Sequence, residues 1–164
     1  RIENGTMQLN LQPEMIEDIF REAIHHLGRN KRKHNISMHL EDDLLMANMD
    51  ARLIIQVLVN LINNAIKYTP ENSNISLNAR RVEDKILIEV QDDGNGVLHP
   101  DQLFEMFYTE NNRGGDTRRG MGLGLSLCKS IVLAHGGKIW VENVTPHGAC
   151  FKFVLDAVEV KLYE

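Results

Sequence analysis

Five polar residues in an otherwise apolar stretch, Gln56, Asn60, Asn63, Asn64 and Lys67, are the first sign of chemistry in this sequence. On a helix they fall within one wedge of roughly 100°. Ile54, Ile55, Val57, Leu58, Val59, Leu61, Ile62, Ala65 and Ile66 fill the rest of the circumference. A helix apolar over most of its surface is buried, and each amide left unpaired there costs about 1–3 kcal/mol. A bound ligand could supply the missing partners. A plain solvent-facing stripe is the alternative, but such stripes carry Lys and Glu rather than three Asn and a Gln.

Asp92 is the second candidate. It shares strand parity with Ile86, Ile88 and Val90 and so points to the core face, an expensive place for a carboxylate without hydrogen bonds. Asp93-Gly94-Asn95-Gly96 follows at once, giving DxGxG, in which glycines let the chain turn tightly and a ligand approach. An acceptor-only group in an apolar slot suits an exocyclic amine such as that of adenine. The same four residues could also simply end a strand in a turn.

A third feature is Gly120-Met121-Gly122-Leu123-Gly124-Leu125, a glycine-rich run leading into a helix. Backbone N–H groups exposed at a helix N-terminus favour phosphate. Leu125 stands where a dinucleotide fingerprint needs glycine, and no Gly-Lys-Ser/Thr follows as in a P-loop. Close packing of the helix at its glycines is the competing explanation. The seven histidines include no HxxxH or HExxH pair, and Ser126 lacks a GxSxG context. Metal-only, serine-hydrolase and cysteine-protease chemistries are therefore poorly supported.

The elements that must position these residues can be read from periodicity. Met7 to Leu11 alternates as a short strand, and a helix from about Pro13 to Lys31 shows Ile16, Ile19, Phe20, Ala23, Ile24 and Leu27 on one face. The basic run Arg29, Lys31, Arg32, Lys33, His34 suits a helix C-terminus. Residues 36–40 and 44–49 read as a hairpin across Glu41-Asp42-Asp43, with Asp50 capping a helix that ends near Tyr68, before Pro70. A second hairpin pairs Ile75-Leu77-Ala79 with Ile86-Ile88-Val90. A polar loop over 94–119 precedes a helix at about 121–135, which stops at Gly136-Gly137, and strands at 139–141 and 151–155 close the chain. This order predicts an α/β fold, a two-layer sandwich of a mixed, largely antiparallel sheet with helices on one face.

At 164 residues, with 43% hydrophobic and 25% charged, the chain has the size and composition of one globular domain. A net charge of -5 and 5% aromatics argue against nucleic acid as a partner. Cys128 and Cys150 form no CxxC, which suits a reducing compartment. The apolar stretches 53–66 and 121–134 are too short and interrupted to span a bilayer, so no direct membrane contact is expected, and a start at Arg1 reads as a piece excised from something larger.

Taken together and in order, the features resemble the ATP-binding domain of sensor histidine kinases, within the gyrase, Hsp90, histidine kinase and MutL superfamily. Asn60-Leu-Ile-Asn-Asn64-Ala-Ile-Lys67-Tyr68-Thr69 is similar to the family's N box, and Asp92-Asp-Gly94-Asn-Gly96 to its G1 box. Leu103-Phe104-Glu-Met-Phe107-Tyr108 resembles its F box, and Gly120 to Leu125 its G2 box. His135-Gly136-Gly137 and Gly148-Ala-Cys-Phe151 resemble its final hairpin, and Gly148 to Phe153 has some likeness to potassium-sensing kinases of the Kdp type.

The resemblance implies a Bergerat-type fold, with ATP and Mg²⁺ as cofactors. It makes Asn64 a Mg²⁺ ligand and places Asn60 and Lys67 at catalytic positions, Lys67 as a phosphate contact. Tyr68 becomes a wall of the nucleotide site and Asp92 the adenine acceptor. Gly94, Gly96, Phe107, Arg118, Arg119, Gly120, Gly122, Leu123 and Gly124 complete the ATP-binding set, with 97–119 as the lid. Cys150, Asn95 and Met121 stand where the family more often has Thr, Pro, and Thr or Ser.

The implied activity is transfer of the γ-phosphoryl group to a histidine on a separate dimerisation domain, then relay to the receiver domain of a response regulator. An ATP-hydrolysing clamp of the gyrase or Hsp90 kind is the alternative, but Asn60 stands where those ATPases carry a water-activating Glu, and an amide is a poor base. Residues 1–6 then read as the tail of a dimerisation helix, 7–158 as the catalytic domain and 159–164 as a C-terminal tail. The whole would be the cytoplasmic portion of a membrane-anchored sensor.

Overall fold

The computed structural model describes residues 8–105 and 122–158, apart from the side chains of 30–32 and 122–123. The elements are β1 (Gln12–Met15), α1 (Ile16–Leu27), β2 (Asn35–Leu40), β3 (Met46–Met49), α2 (Ala51–Lys67), β4 (Asn74–Val82), β5 (Lys85–Asp92), α3 (Gly122–Ala134), β6 (Ile139–Asn143) and β7 (Ala149–Asp156). A 3-10 segment, Gly28–Lys33, links α1 to β2. The main sheet has five strands in the order β2-β4-β5-β7-β6, antiparallel except for the parallel β2–β4 pair. β1 and β3 form a separate two-stranded ribbon.

Alternation along the strands dictates the layering. Ile75, Leu77 and Ala79 of β4, Ile86, Ile88 and Val90 of β5, and Phe151, Phe153 and Leu155 of β7 are buried together with one face of each helix. Each fully buried side chain of this size contributes about 1.5–3 kcal/mol. On the opposite face of the sheet Lys152 pairs with Glu89 and Glu142, each at 3.3 Å. The two-layer α/β architecture is the expected one, and the 74–82/85–92 hairpin forms as its pattern requires.

Five local expectations differ from what is found. The first strand is Gln12–Met15 rather than 7–11, and the first helix starts at Ile16 rather than Pro13. Pro13 lacks an N–H, and a strand with a free edge can place it where no ladder bond is needed. The helix ends at Gly28, whose φ of +60° no side-chain-bearing residue adopts readily, so the basic run after it is 3-10 rather than the last helical turn. Residues 36–40 and 46–49 are not a hairpin: β2 runs parallel to β4, with Ile36 opposite Ile75, while β3 pairs with β1. Alternation specifies a strand but not its neighbour. Asp50 does not cap α2; its Oδ2 accepts the N–H of Asn10 at 3.1 Å, tying the chain ahead of β1 to the start of the helix.

His135 fastens α2 to α3. Its Nε2 accepts the backbone N–H of Asp50 at 3.0 Å and its Nδ1–H donates to Ile131 O at 2.8 Å. The acceptor at Nε2 fixes the tautomer, because a backbone N–H can only donate. Replacing His135 by Leu strands a part-buried donor, and the expected loss is about 1–3 kcal/mol in urea unfolding. A change below about 0.5 kcal/mol would mean that water takes over the bond.

Candidate functional site

α2 forms because its apolar residues cover most of its circumference: Ile54, Val57, Leu58, Leu61, Ile62 and Ala65 are buried. The polar wedge is graded along the helix. Gln56 and Lys67 are exposed, Asn60 and Asn63 half-buried, and Asn64 has no exposed surface at all. Asn60 lies beside Cys128 of α3, whose Sγ donates to Val57 O at 3.7 Å. Burial pushes the Cys128 thiol up to about 12, against the lowering effect of that amide. Lys67 closes the helix with its ammonium 5.4 Å from the ring centre of Tyr68, within cation–π range.

β5 delivers Asp92 to the core face as its parity requires, and only 3% of the residue is exposed. Its Oδ1 accepts two backbone N–H groups, from Gly94 at 3.0 Å and from Ala149 at 3.2 Å. These bonds compensate burial and orient the carboxylate. The following turn is braced by side chains from three directions. Asn143 clamps Val97, accepting its N–H at 2.8 Å and donating to its carbonyl at 2.9 Å. Asp93 accepts from the backbone and the side chain of Asn74 at 3.1–3.2 Å, and His147 Nδ1 donates to Asp93 O at 2.8 Å.

The absence of a Cβ matters at specific places. A Cβ on Gly94 would lie 2.8 Å from Thr69 Cγ2 and 3.4 Å from Tyr68 O, so the end of α2 rests directly on the DxG turn. On Gly96, at φ +81°, it would lie 2.5 Å from Asn143 Oδ1. Gly148 packs against Asp92 O at φ +123°, which joins the β6–β7 hairpin to the same turn.

The structure thus brings Asn64, Lys67, Tyr68, Asp92, Gly94 and Gly96 onto α2 and the turn that it touches, with Asn60 one turn further back along α2. Gly122, Leu123 and Gly124 lie in the first turn of α3. Phe107, Arg118, Arg119 and Gly120, with most of the expected lid, fall outside the described residues. Sequence reasoning missed the bracing set Thr69, Asn74, Asn143 and His147. Asn143 ends a strand and His147 sits in a turn, so neither carries a periodic signal.

Comparison with known proteins decides the family. The sequence profile of the histidine kinase-, DNA gyrase B- and HSP90-like ATPases matches residues 49–159. The chain belongs to this family. It is 36% identical over 155 residues to the sensor protein KdpD of Clostridium acetobutylicum, covering 93% of this chain and 17% of that protein. It is 35% identical over 158 residues to the adaptive-response sensory kinase SasA of Synechocystis, covering 93% of this chain and 40% of that one. The chain therefore spans well under half the length of these curated relatives.

Among solved structures, a nucleotide-free catalytic domain of histidine kinase ThkA superposes with a TM-score of 0.77 at 29% identity, over 90% of this chain and 96% of that one. Full-length ShkA in complex with AMPPNP gives 0.77 at 25% identity, over 95% and 33% of the two chains. The histidine kinase-type ATPase family, its kinase relatives and its fold are those the sequence motifs implied. No helix among the described residues is long and apolar enough to cross a membrane.

The contacts at Gly148 and Gly136 separate steric from conformational demands. Gly136 also has positive φ, at +77°, but nothing lies within 4 Å of a Cβ placed there. Gly136→Ala is expected to cost about 1 kcal/mol, the conformational penalty alone. Gly148→Ala is expected to cost clearly more, because backbone must move. Urea unfolding of the two variants measures the difference, and equal losses would mean that the hairpin yields freely.

Proposed function

We propose that this chain binds Mg-ATP and positions its γ-phosphoryl group for transfer to a histidine on a separate dimerisation domain of the parent protein, for relay to a response regulator's receiver domain. The observation that carries the reading is the buried Asp92 carboxylate, oriented by two backbone N–H groups beside the Gly94 turn on which Tyr68 and Thr69 rest. A fixed acceptor in an apolar setting suits the adenine 6-amine.

Asn64 is the proposed Mg²⁺ ligand. Its amide is fully buried on the same helix, and an amide oxygen is the hard donor this ion takes. Bound there, the ion would neutralise charge on the phosphate oxygens. Lys67 is proposed as a phosphate contact and Tyr68 as a wall of the site, with Gly122 and Gly124 offering N–H groups at the start of α3. Asn60, next to Cys128, offers an amide and not a carboxylate beside the ion site, which favours positioning for phosphoryl transfer over activation of water. Two structural relatives accord with the proposed partners: ShkA was solved with AMPPNP and ThkA with the response regulator TrrA. The parent protein is proposed to be a membrane-anchored sensor whose cytoplasmic part includes this chain.

Asp92→Asn places a donor where the amine already donates, and is expected to weaken ATP binding by about 2–4 kcal/mol in calorimetry. A silent substitution, or guanine nucleotides binding as tightly as ATP, would overturn the adenine assignment. Asn64→Ala is expected to spare Mg²⁺-free adenosine binding while abolishing Mg²⁺-dependent phosphoryl transfer to a purified dimerisation domain. Loss of both together would instead mean that α2 had collapsed.

A further inference from the structure

We propose that His34, remote in sequence from every residue assigned above, is a positioning residue for adenine selection, acting through Thr69 on the turn that carries Asp92. This inference rests on the reading of Asp92 as the acceptor of the adenine amine.

His34 is buried at the start of β2, and its Nε2 lies 2.8 Å from Thr69 Oγ1. The Thr69 hydroxyl donates to Ala65 O at 2.7 Å, back into the last turn of α2. A hydroxyl has one proton, so at His34 it must accept, and the imidazole Nε2 carries the hydrogen. Among the described residues the other ring nitrogen, Nδ1, has no hydrogen-bond partner, so the ring's bonding is directed to Thr69 alone. Two bonds at one oxygen fix the Thr69 rotamer, which leaves its methyl in a single place. That place is against Gly94, where a Cβ would come within 2.8 Å of Cγ2 and 3.3 Å of Asp92 Oδ1.

The backbone keeps His34 in register with Thr69. Asn72 N–H donates to Lys33 O at 2.5 Å and Asn35 N–H to Ser73 O at 2.9 Å, while Asn35 Nδ2 reaches Asn72 O at 3.1 Å. The chain on both sides of His34 is thereby zipped to the segment that follows Thr69. With Thr69 held, the methyl forms a stop behind Gly94, and the N–H of Gly94 keeps its aim on Asp92 Oδ1. Release the hydroxyl and the methyl can rotate, which frees the turn to shift by the few tenths of an ångström that decide a hydrogen bond to a ligand.

The test compares ATP with ITP, which lacks the 6-amine, and with tripolyphosphate, which lacks the base, by calorimetry on the whole chain with Mg²⁺. Wild type is expected to prefer ATP over ITP. His34→Phe is expected to cut that preference about five-fold, the worth of one net hydrogen bond, with tripolyphosphate affinity unchanged. His34→Gln, which can restore an N–H donor, is expected to recover most of it. Thr69→Ser keeps the hydroxyl but loses the methyl, and is expected to lower the preference even if His34→Phe fails to fold.

Preservation of the wild-type ATP:ITP ratio in folded His34→Phe or in Thr69→Ser would overturn the positioning role while leaving the Asp92 reading intact. A parallel fall in tripolyphosphate affinity would also overturn it, by showing a general collapse. A wild-type ratio near one would instead remove the adenine reading itself.

Discussion

A carboxylate buried at the end of a central strand is the constraint around which the rest of this structure is arranged. Asp92 stands opposite Ile75 in β4, at the last core-facing position of β5. Its parity gives it no route to solvent, and leaving it without hydrogen bonds there would cost several kcal/mol. The compensation comes from backbone N–H groups of two different segments, Gly94 just after it and Ala149 from β7. That choice has a topological consequence, since the β6–β7 hairpin must reach the end of β5 for the carboxylate to be tolerated. Gly148, with φ at +123°, is what allows so close an approach.

The turn after Asp92 leaves the sheet and so loses the ladder partners that a strand enjoys. Side chains substitute for them. Asn143 presents an acceptor and a donor to Val97 much as a neighbouring strand would, Asp93 takes the N–H of Asn74, and His147 caps Asp93 O. A loop whose polar groups are satisfied by side chains from three elements has little freedom left, so a ligand meeting it has less ordering cost to overcome. Rigidity here comes from short polar side chains and not from apolar packing.

The layered α/β fold, the buried Asn64 of α2 and the core-facing Asp92 of β5 were legible in the sequence because all follow from period: 3.6 for α2 with its polar wedge, 2 for β5 with Asp92 among Ile86, Ile88 and Val90. Strand pairing was not legible in the same way. Met38 and Leu40 alternate correctly, but nothing local says that their neighbour is β4 and not β3, because β4 comes beside β2 only after the chain has passed through β3 and α2. Pro13 was read by its propensity for a first helical turn, although the ribbon edge suits it equally. The bracing residues were invisible for a related reason: Asn143 and Thr69 each act through a pair of side-chain hydrogen bonds, with Val97 and with His34 and Ala65, which leave no periodic trace.

The polar wedge of α2 poses a mechanical problem besides the chemical one, since a helix with Asn64 fully buried and Gln56 and Lys67 exposed cannot roll without exposing one or burying the others. Apolar packing alone resists rolling weakly, because Leu and Ile side chains exchange neighbours at little cost. Directional bonds supply what packing lacks. His135 holds the helix start to the end of α3, the Cys128 Sγ–Val57 O bond holds its middle, and the His34–Thr69 bond holds its end. The three lie at different heights along α2, so rotation that relieved one would break the others. A thiol serves in the middle because burial keeps it neutral, with its ionisation pushed up to about 12, and a charged group there would have attracted water between the helices. The amide at Asn60 fits the same logic: it sits beside the neutral thiol and still belongs to the polar wedge, where a carboxylate would have needed a cation as partner.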